Sequence, residues 1–109
     1  MNKYRNKPIW IDGIRFDSIR EGNRWQELRL LERAGEISGL ERQVRFKVVP
    51  ESRTTSGKKL HPVYYVADFV YKNRKGMTVV EDAKGCKTAA YIIKKKLMNS
   101  IYGYEIQEV

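Results

Sequence analysis

Two apolar runs rich in β-forming residues dominate the middle of the chain: VYYVADFVY at residues 63–71 and MTVVEDAK at residues 77–84. Their near-continuous hydrophobicity predicts two central strands, each buried on both faces of a sheet. The segment between them, KNRKG at residues 72–76, predicts a hairpin turn. The two runs are therefore expected to form an antiparallel pair at the centre of the fold.

An acidic residue interrupts each run: Asp68 in the first and Asp82 in the second. A carboxylate inside an apolar strand is costly to bury unless it is paired or binds a cation. Lys84 follows Asp82 by two residues, so these two side chains share one face of their strand. We take these three residues as the leading candidates for a chemical site.

The length of the turn determines whether the two aspartates meet. A loop of residues 74–76, with glycine at its last, left-handed position, places Asp68 directly opposite Asp82. Directly opposed side chains share a face, with Cβ atoms about 4.5–5.5 Å apart. A loop of residues 73–76 would place Glu81 opposite Asp68 instead. Glycine at the last loop position favours the three-residue form.

Periodic segments on both sides of this pair complete the predicted fold. Ser18, with Glu21 three residues later, has the spacing of a capping box, and Thr88 is a second N-cap candidate. The predicted elements are a helix over about 18–34, a strand over 41–49, a helix over about 88–100 and a strand over 104–109. The order α-β-β-β-α-β predicts an α/β domain with a mixed four-stranded sheet flanked by helices.

A chain of 109 residues predicts a single domain over residues 1–109. Residues 1–16 are basic and irregular, and the turn signal Asp12-Gly13 makes this segment either an arm or a short hairpin. Residues 51–60 predict a mobile polar loop with three positive charges. The N-terminus lacks the apolar segment of a signal peptide, and no apolar run approaches the roughly 18 residues of a membrane span. We therefore expect a cytoplasmic protein with no membrane partner.

The charge balance indicates the kind of partner. Twenty-two Lys and Arg against thirteen Asp and Glu give a net charge of +9, which favours a polyanion such as nucleic acid. The single cysteine, Cys86, and the single histidine, His61, exclude an intrachain disulfide and a thiolate or imidazole zinc site within one chain. A metal would therefore be held by oxygen ligands, which points to Mg²⁺ or Mn²⁺.

The predicted element order, with Asp68 in the second strand and Asp82-Ala83-Lys84 ending the third, resembles the restriction-endonuclease-like core of the PD-(D/E)xK nucleases. Ala67 stands where that superfamily has its proline. The stretches FDSIREGNRWQELRLLERAGEI, YVADF and VVEDAKGCKT also resemble a family of small phage proteins likened to Holliday junction resolvases. This resemblance covers roughly residues 14–109.

The resemblance implies a metal-dependent DNA endonuclease that hydrolyses phosphodiester bonds. Asp68 and Asp82 would hold one or two Mg²⁺, and Lys84 would act on the attacking water. A glutamate in the first helix often completes the metal site of resolvase-like nucleases, and Glu21 matches that position; a capping role is the alternative. The implied substrate is branched DNA such as a four-way junction, whose two-fold-related strands suit a homodimer. A phage-encoded copy would work in the bacterial cytoplasm.

A second group of residues is predicted to contact DNA. Gln43 resembles a position near the site in related nucleases, and an exposed edge glutamine is the equal alternative. Lys87, Lys94 and Lys95 are predicted to contact phosphates, and the alternative is a solvated helix face. Tyr91 has the chemistry to stack or hydrogen-bond near the scissile strand, although core packing is the favoured role.

Three other interpretations compete with an active nuclease. The motif D-x-K is weak alone, and Asp68 and Lys84 form a structural ion pair across neighbouring strands in the simplest of them. A catalytically inactive nucleic-acid-binding module on the same fold predicts that one of Asp68, Asp82 and Lys84 points away from the others. An interaction protein using its basic surface on RNA or on a partner protein is the third, although neither an RRM aromatic signature nor a KH GxxG loop occurs.

Overall fold

The computed structural model describes residues 7–83 and 87–109. The main elements follow the predicted order α-β-β-β-α-β, with one small hairpin before the first helix and another after the first long strand. In chain order they are β1 (Ile9–Ile11), β2 (Ile14–Phe16), α1 (Ile19–Arg33), β3 (Ser38–Val49), β4 (Ser52–Arg53), β5 (Lys59–Leu60), β6 (Val63–Lys72), β7 (Thr78–Asp82), α2 (Ala89–Tyr102) and β8 (Gln107–Glu108).

Four strands form the main sheet in the order β3-β6-β7-β8. The β3–β6 and β6–β7 pairs are antiparallel and the β7–β8 pair is parallel, so the sheet is mixed and β6 and β7 lie at its centre. Val79 packs against the α1 cluster, whose buried members are Leu28 of α1, Phe69 and Tyr71. Val80 belongs to the α2 cluster, whose other buried members are Val48, Tyr65, Ala67, Met98 of α2 and Ile106. Because neighbouring strand residues face opposite sides, the two helices cover opposite faces of the sheet.

The first turn of α1 contains a glycine for a packing reason. Ser18 Oγ accepts the backbone N–H of Glu21 at 3.1 Å, so Ser18 caps the helix as predicted. A Cβ added to Gly22 would lie 2.5 Å from Cδ1 of Ile9 and 3.0 Å from Cδ1 of Ile11. Gly22 therefore lets β1 approach the helix closely, despite the poor helix propensity of glycine.

The loop between β6 and β7 has the predicted three-residue form. The N–H of Asn73 donates to the carbonyl of Met77 at 2.9 Å, which closes the hairpin at this pair. Gly76, the last loop residue, has a φ of 77°, the left-handed conformation that glycine adopts without a Cβ clash. The choice of the three-residue loop over the four-residue loop is confirmed.

The β6–β7 ladder ends at the pair Phe69–Glu81. Continuing this register by one residue places Asp68 opposite Asp82, as the loop length predicts. At this point Asp68 Oδ2 accepts the backbone N–H of Ala83 at 2.8 Å. The two central strands thus separate at Asp68, and the aspartate side chain spans the gap between them.

Strand β6 also changes sides at Asp68. Tyr65 and Ala67 pack in the α2 cluster, whereas Phe69 and Tyr71 pack in the α1 cluster. These four positions have the same parity, so a regular strand would direct all of them to one face. The odd-numbered side chains of β6 therefore point to the α2 face of the sheet before Asp68 and to the α1 face after it.

Strand β3 changes sides at the residue that faces Asp68. Arg42 packs over the ring of Trp25 of α1 and Phe46 packs against the α2 cluster, although both are even-numbered and no register shift lies between them. Gln43 lies between them with a φ of 51°, a left-handed conformation that is uncommon for a residue other than glycine. The kink at Gln43 and the strand separation at Asp68 are thus adjacent.

Two predicted segments differ from the structure. Residues 51–60 were expected to form a mobile loop, but β4 and β5 pair within them around Gly57, whose φ is 89°. The predicted strand over 104–109 is reduced to the two residues of β8, Gln107 and Glu108, which pair with Glu81 and Asp82 of β7. Residues 9–16 form the hairpin β1–β2 around Asp12-Gly13.

Within the two described ranges, neither helix is long and apolar enough to cross a membrane.

Candidate functional site: a buried carboxylate centre

Three of the four predicted catalytic residues are buried carboxylates. Glu21, Asp68 and Asp82 have exposed fractions of 5%, 2% and 1%, and they come from α1, β6 and β7. Acidic side chains are rarely buried to this degree unless they are paired or bind a cation. Their burial therefore indicates a chemical site or a polar network.

Gln43 joins two of these carboxylates. Its Nε2 lies 3.3 Å from Glu21 Oε2 and 3.3 Å from Asp68 Oδ1, and it donates to both. Glu21 thus combines two roles: its backbone N–H completes the cap of α1, and its carboxylate faces Gln43. The left-handed backbone of Gln43 is a strained conformation of the sort that clusters at functional sites.

Tyr65 holds the third carboxylate. Its hydroxyl donates to Asp82 Oδ2 at 2.8 Å, and both side chains are buried. Burial, followed by the charge of Asp82, raises the pKa of Tyr65 well above its usual range, so the hydroxyl remains a donor. Tyr65 was missed in the sequence because an aromatic residue in an apolar strand is normally a core residue; its position three residues before Asp68 is the only sequence signal.

A cation lies beside Glu21 on the α1 side. The Arg42 guanidinium is 3.6 Å from Glu21 Oε2 and packs over the ring of Phe16, with 4.4 Å from Cζ to the ring centroid. This position lets Arg42 offset part of the negative charge of the centre while its planar group stays on an aromatic face. Arg42 was not among the predicted site residues.

A fourth buried carboxylate, Glu81, faces away from the centre. Arg24 of α1 binds it through Nε at 2.8 Å and Nη2 at 2.6 Å, and the Tyr71 hydroxyl also donates to it. The hydrogen bond to Glu81 raises the pKa of Arg24 further above its usual value. Glu81 is thus satisfied on the α1 face, as the three-residue loop requires.

Four predicted DNA-contacting residues lie on α2 or just before it, and three of them contact Glu108. Glu108 of β8 accepts the Tyr91 hydroxyl at 2.8 Å and lies 3.1 Å from Lys87 Nζ and 3.5 Å from Lys95 Nζ. Burial, followed by this hydrogen bond, raises the pKa of Tyr91. Tyr91 also packs against the α2 cluster, its favoured role. Lys94 is half-buried on the same helix.

The predicted catalytic lysine, Lys84, lies outside the described residues, as does Cys86. Among residues 7–83 and 87–109, no group of three or more Asp, Glu, His or Cys side chains has the arrangement of a metal site. Glu21, Asp68 and Asp82, all in the described part of the chain, are thus not arranged as a three-ligand metal site. Gln43, Tyr65 and Arg42 contact these carboxylates.

Comparison with known proteins gives a family without an assigned activity. No curated protein and no solved structure matches the chain. A family model described as a protein of unknown function (DUF1064) matches residues 1–107, nearly the whole length. The chain therefore belongs to the DUF1064 family.

Proposed function

We propose that this chain is a metal-dependent DNA endonuclease of the PD-(D/E)xK type. One observation carries the proposal: Asp68 and Asp82 occupy opposed positions where the two central strands separate, and Gln43 connects Asp68 to Glu21. The order of the main elements and the central antiparallel pair support the finer assignment of a restriction-endonuclease-like core.

The donor set fits a hard divalent cation in kind. All three carboxylates are oxygen donors, and the Gln43 –NH₂ group sits between two of them, where a positive charge is favourable. Asp68, Asp82 and Glu21 would hold Mg²⁺, or Mn²⁺ in its place. A bound cation of this type supplies Lewis-acid polarisation of the phosphate and lowers the pKa of a coordinated water.

The remaining residues position the carboxylates and manage charge. The Tyr65 hydroxyl donates to Oδ2 of Asp82 and limits the rotation of this carboxylate. Arg42 limits the repulsion that Glu21 would add to the centre. Lys84, two residues beyond Asp82, would orient or deprotonate the attacking water and offset negative charge in the transition state.

The basic surface supports DNA as the substrate. The net charge of +9 favours a polyphosphate chain, and Lys95 of α2 and Lys87, just before this helix, lie next to β8, the neighbour of β7 in the sheet. We further propose branched DNA, such as a four-way junction, as the preferred form. A homodimer acting in the cytoplasm would place two centres on its two-fold-related strands.

A catalytically inactive nucleic-acid-binding module is the second candidate. The ion pair between Arg42 and Glu21 favours it, because a guanidinium neutralises a carboxylate without any metal. On this alternative the buried carboxylates are structural, and the basic surface alone carries the function.

The experiment that separates these candidates uses an end-labelled four-way junction and a linear duplex of the same arm sequences. Each is incubated with the protein in Mg²⁺, in Mn²⁺ and in EDTA, with Asp68→Asn as the matched control variant. We expect nicked products only with a divalent cation, more from the junction than from the duplex, and none from the control. Binding of both DNAs without any cleavage would contradict the nuclease and favour the binding module.

A further inference from the structure

Four side chains near the end of β8 form a compact charged cluster. Glu108 accepts the Tyr91 hydroxyl and contacts the ammonium groups of Lys87 and Lys95, all within 3.5 Å. Three donors from α2 and the segment before it thus converge on one carboxylate. The cluster borders a groove of about 570 Å³ whose wall also contains Lys96.

This cluster adjoins the carboxylate centre. Glu108 is the parallel register partner of Asp82, so the two side chains point to the same face from neighbouring strands. The N–H of Val109 donates to the carbonyl of Asp82 at 3.1 Å and continues this pairing. Neighbouring strands lie about 4.8 Å apart, a distance of the same order as the rise of about 3.4 Å per nucleotide along one strand of DNA. An anion held by the cluster would therefore lie next to any phosphate at Asp82.

The cluster offers two ammonium groups and a phenol hydroxyl, and hydrogen-bond donors of this kind bind the oxygens of a phosphodiester. We propose that Lys87, Tyr91 and Lys95 form a subsite for a DNA backbone phosphate, and that Glu108 occupies this subsite in the free protein. The inference rests on the proposed function insofar as it takes DNA as the ligand. It adds an internal competitor, a carboxylate that must leave before the neighbouring phosphate binds.

The contacts of Glu108 suit an exchangeable occupant. The Lys87 side chain is 60% exposed, and ion pairs at that exposure contribute little to stability, so their loss costs the fold little. The hydrogen bond from Tyr91, followed by the one from Lys87, lowers the pKa of Glu108, which keeps it negative at neutral pH. A phosphate offers the same donors an acceptor of equal charge, with release of counterions from the DNA.

Direct binding to DNA in EDTA, where cleavage does not interfere, tests this subsite. Glu108→Gln removes the competing charge and keeps the shape, and Glu105→Gln removes one charge from another residue lining the same groove. We expect Glu108→Gln to tighten the Kd for a labelled duplex about 3- to 10-fold, the factor that corresponds to a lost contribution near 1 kcal/mol. Glu105→Gln should change the Kd by less than about 2-fold, through long-range charge alone.

A second pair of variants identifies the groups through which Glu108 acts. In a Lys87→Ala/Lys95→Ala background the effects of Glu108→Gln and Glu105→Gln should become equal. Two results with the single variants would overturn the subsite: Glu108→Gln binds DNA no more tightly than Glu105→Gln, or it binds DNA more weakly than the parent protein. A lack of DNA binding by the parent and every variant would also overturn it. Failure of the proposed nuclease shows differently: the parent would bind DNA and leave it intact in Mg²⁺, while the Glu108→Gln effect persists.

Discussion

Tyr65 of β6 donates a hydrogen bond of 2.8 Å to Asp82 of β7, across the point where these two strands separate. Both side chains are buried, and neither residue belongs to the regular β6–β7 ladder, which ends at Phe69 and Glu81. A hydroxyl that donates to a carboxylate fixes the orientation of that carboxylate. Tyr65 therefore orients Asp82, which we propose as a metal ligand.

Replacing Tyr65 by Phe should raise the Mg²⁺ concentration needed for half-maximal cleavage by about 10-fold, the low end of the effect of residues that orient metal ligands. Tyr71→Phe is the matched control, because it removes a buried hydroxyl from Glu81 on the other face. Its Mg²⁺ dependence should equal that of the parent. Equal Mg²⁺ requirements for the two variants would show that Tyr65 only packs.

Substitutions of Gln43 are expected to affect cleavage and stability differently, because its left-handed backbone is strained whereas its side chain makes favourable hydrogen bonds. Gln43→Gly removes the amide from Glu21 and Asp68 but relieves the left-handed φ of 51°. The free energy of unfolding in urea should therefore stay within about 1 kcal/mol of the parent, while cleavage falls. Gln43→Ala, which keeps the strain, should be the less stable of the two. A Gln43→Ala variant that is more stable than Gln43→Gly would show that the left-handed backbone at this position is not strained.

The ion pair of Arg24 with Glu81 is expected to stabilise the fold without contributing to chemistry. Arg24→Met should lower the free energy of unfolding by about 2–3 kcal/mol, somewhat less than for a fully buried pair, because the Arg24 side chain is 23% exposed. Arg29→Met, which breaks an exposed pair with Asp12, should cost at most about 1 kcal/mol. Equal losses in the free energy of unfolding for the two variants, measured in urea, would contradict the expectation that the more buried ion pair contributes more stability.

Tyr71 gives this ion pair a pH dependence at alkaline pH. Burial, followed by the hydrogen bond to Glu81, raises the pKa of Tyr71 to about 12 from an ordinary value of 10.0. The folded protein therefore keeps a proton that the unfolded chain loses, and its stability should fall as the pH rises from about 10 to about 12. Tyr71→Phe should show a smaller decrease over this interval in urea unfolding. An identical decrease would rule out Tyr71 as its source.

The sequence was sufficient to predict the central hairpin, because Gly76 selects the loop and the loop determines the register. Burial of Asp68 and Asp82 followed from their places in apolar runs. The alternation of Gln43 with its neighbours predicts a solvent-facing side chain, and Gln43 is exposed, but the alternation gave no sign of its contacts with Glu21 and Asp68. Both β3 and β6 change faces at the Gln43–Asp68 position, and a change of face is invisible to a period-two pattern.

Long-range polar pairs were equally hidden. Arg24 and Glu81 lie 57 positions apart, and nothing local distinguishes Arg24 from the other basic residues of α1. Tyr65 has the same limitation, since its partner lies on another strand. The resemblance to resolvase-like nucleases placed Glu21 among the site residues, and periodicity alone would have left it as a helix cap.

The central claim is that Asp68 and Asp82 form a metal-dependent nuclease centre, and Asp82→Asn tests it most directly. Asn keeps the shape and still accepts from Tyr65, but it removes one negative charge. The rate of junction cleavage in Mg²⁺ should fall by about 100-fold or more, since a metal ion supplies several kcal/mol of transition-state stabilisation and each 1.36 kcal/mol is tenfold in rate. The Kd for DNA in EDTA should stay within about 2-fold, because lysines and arginines carry the phosphate contacts. A variant that cuts the junction at the parental rate would contradict the account.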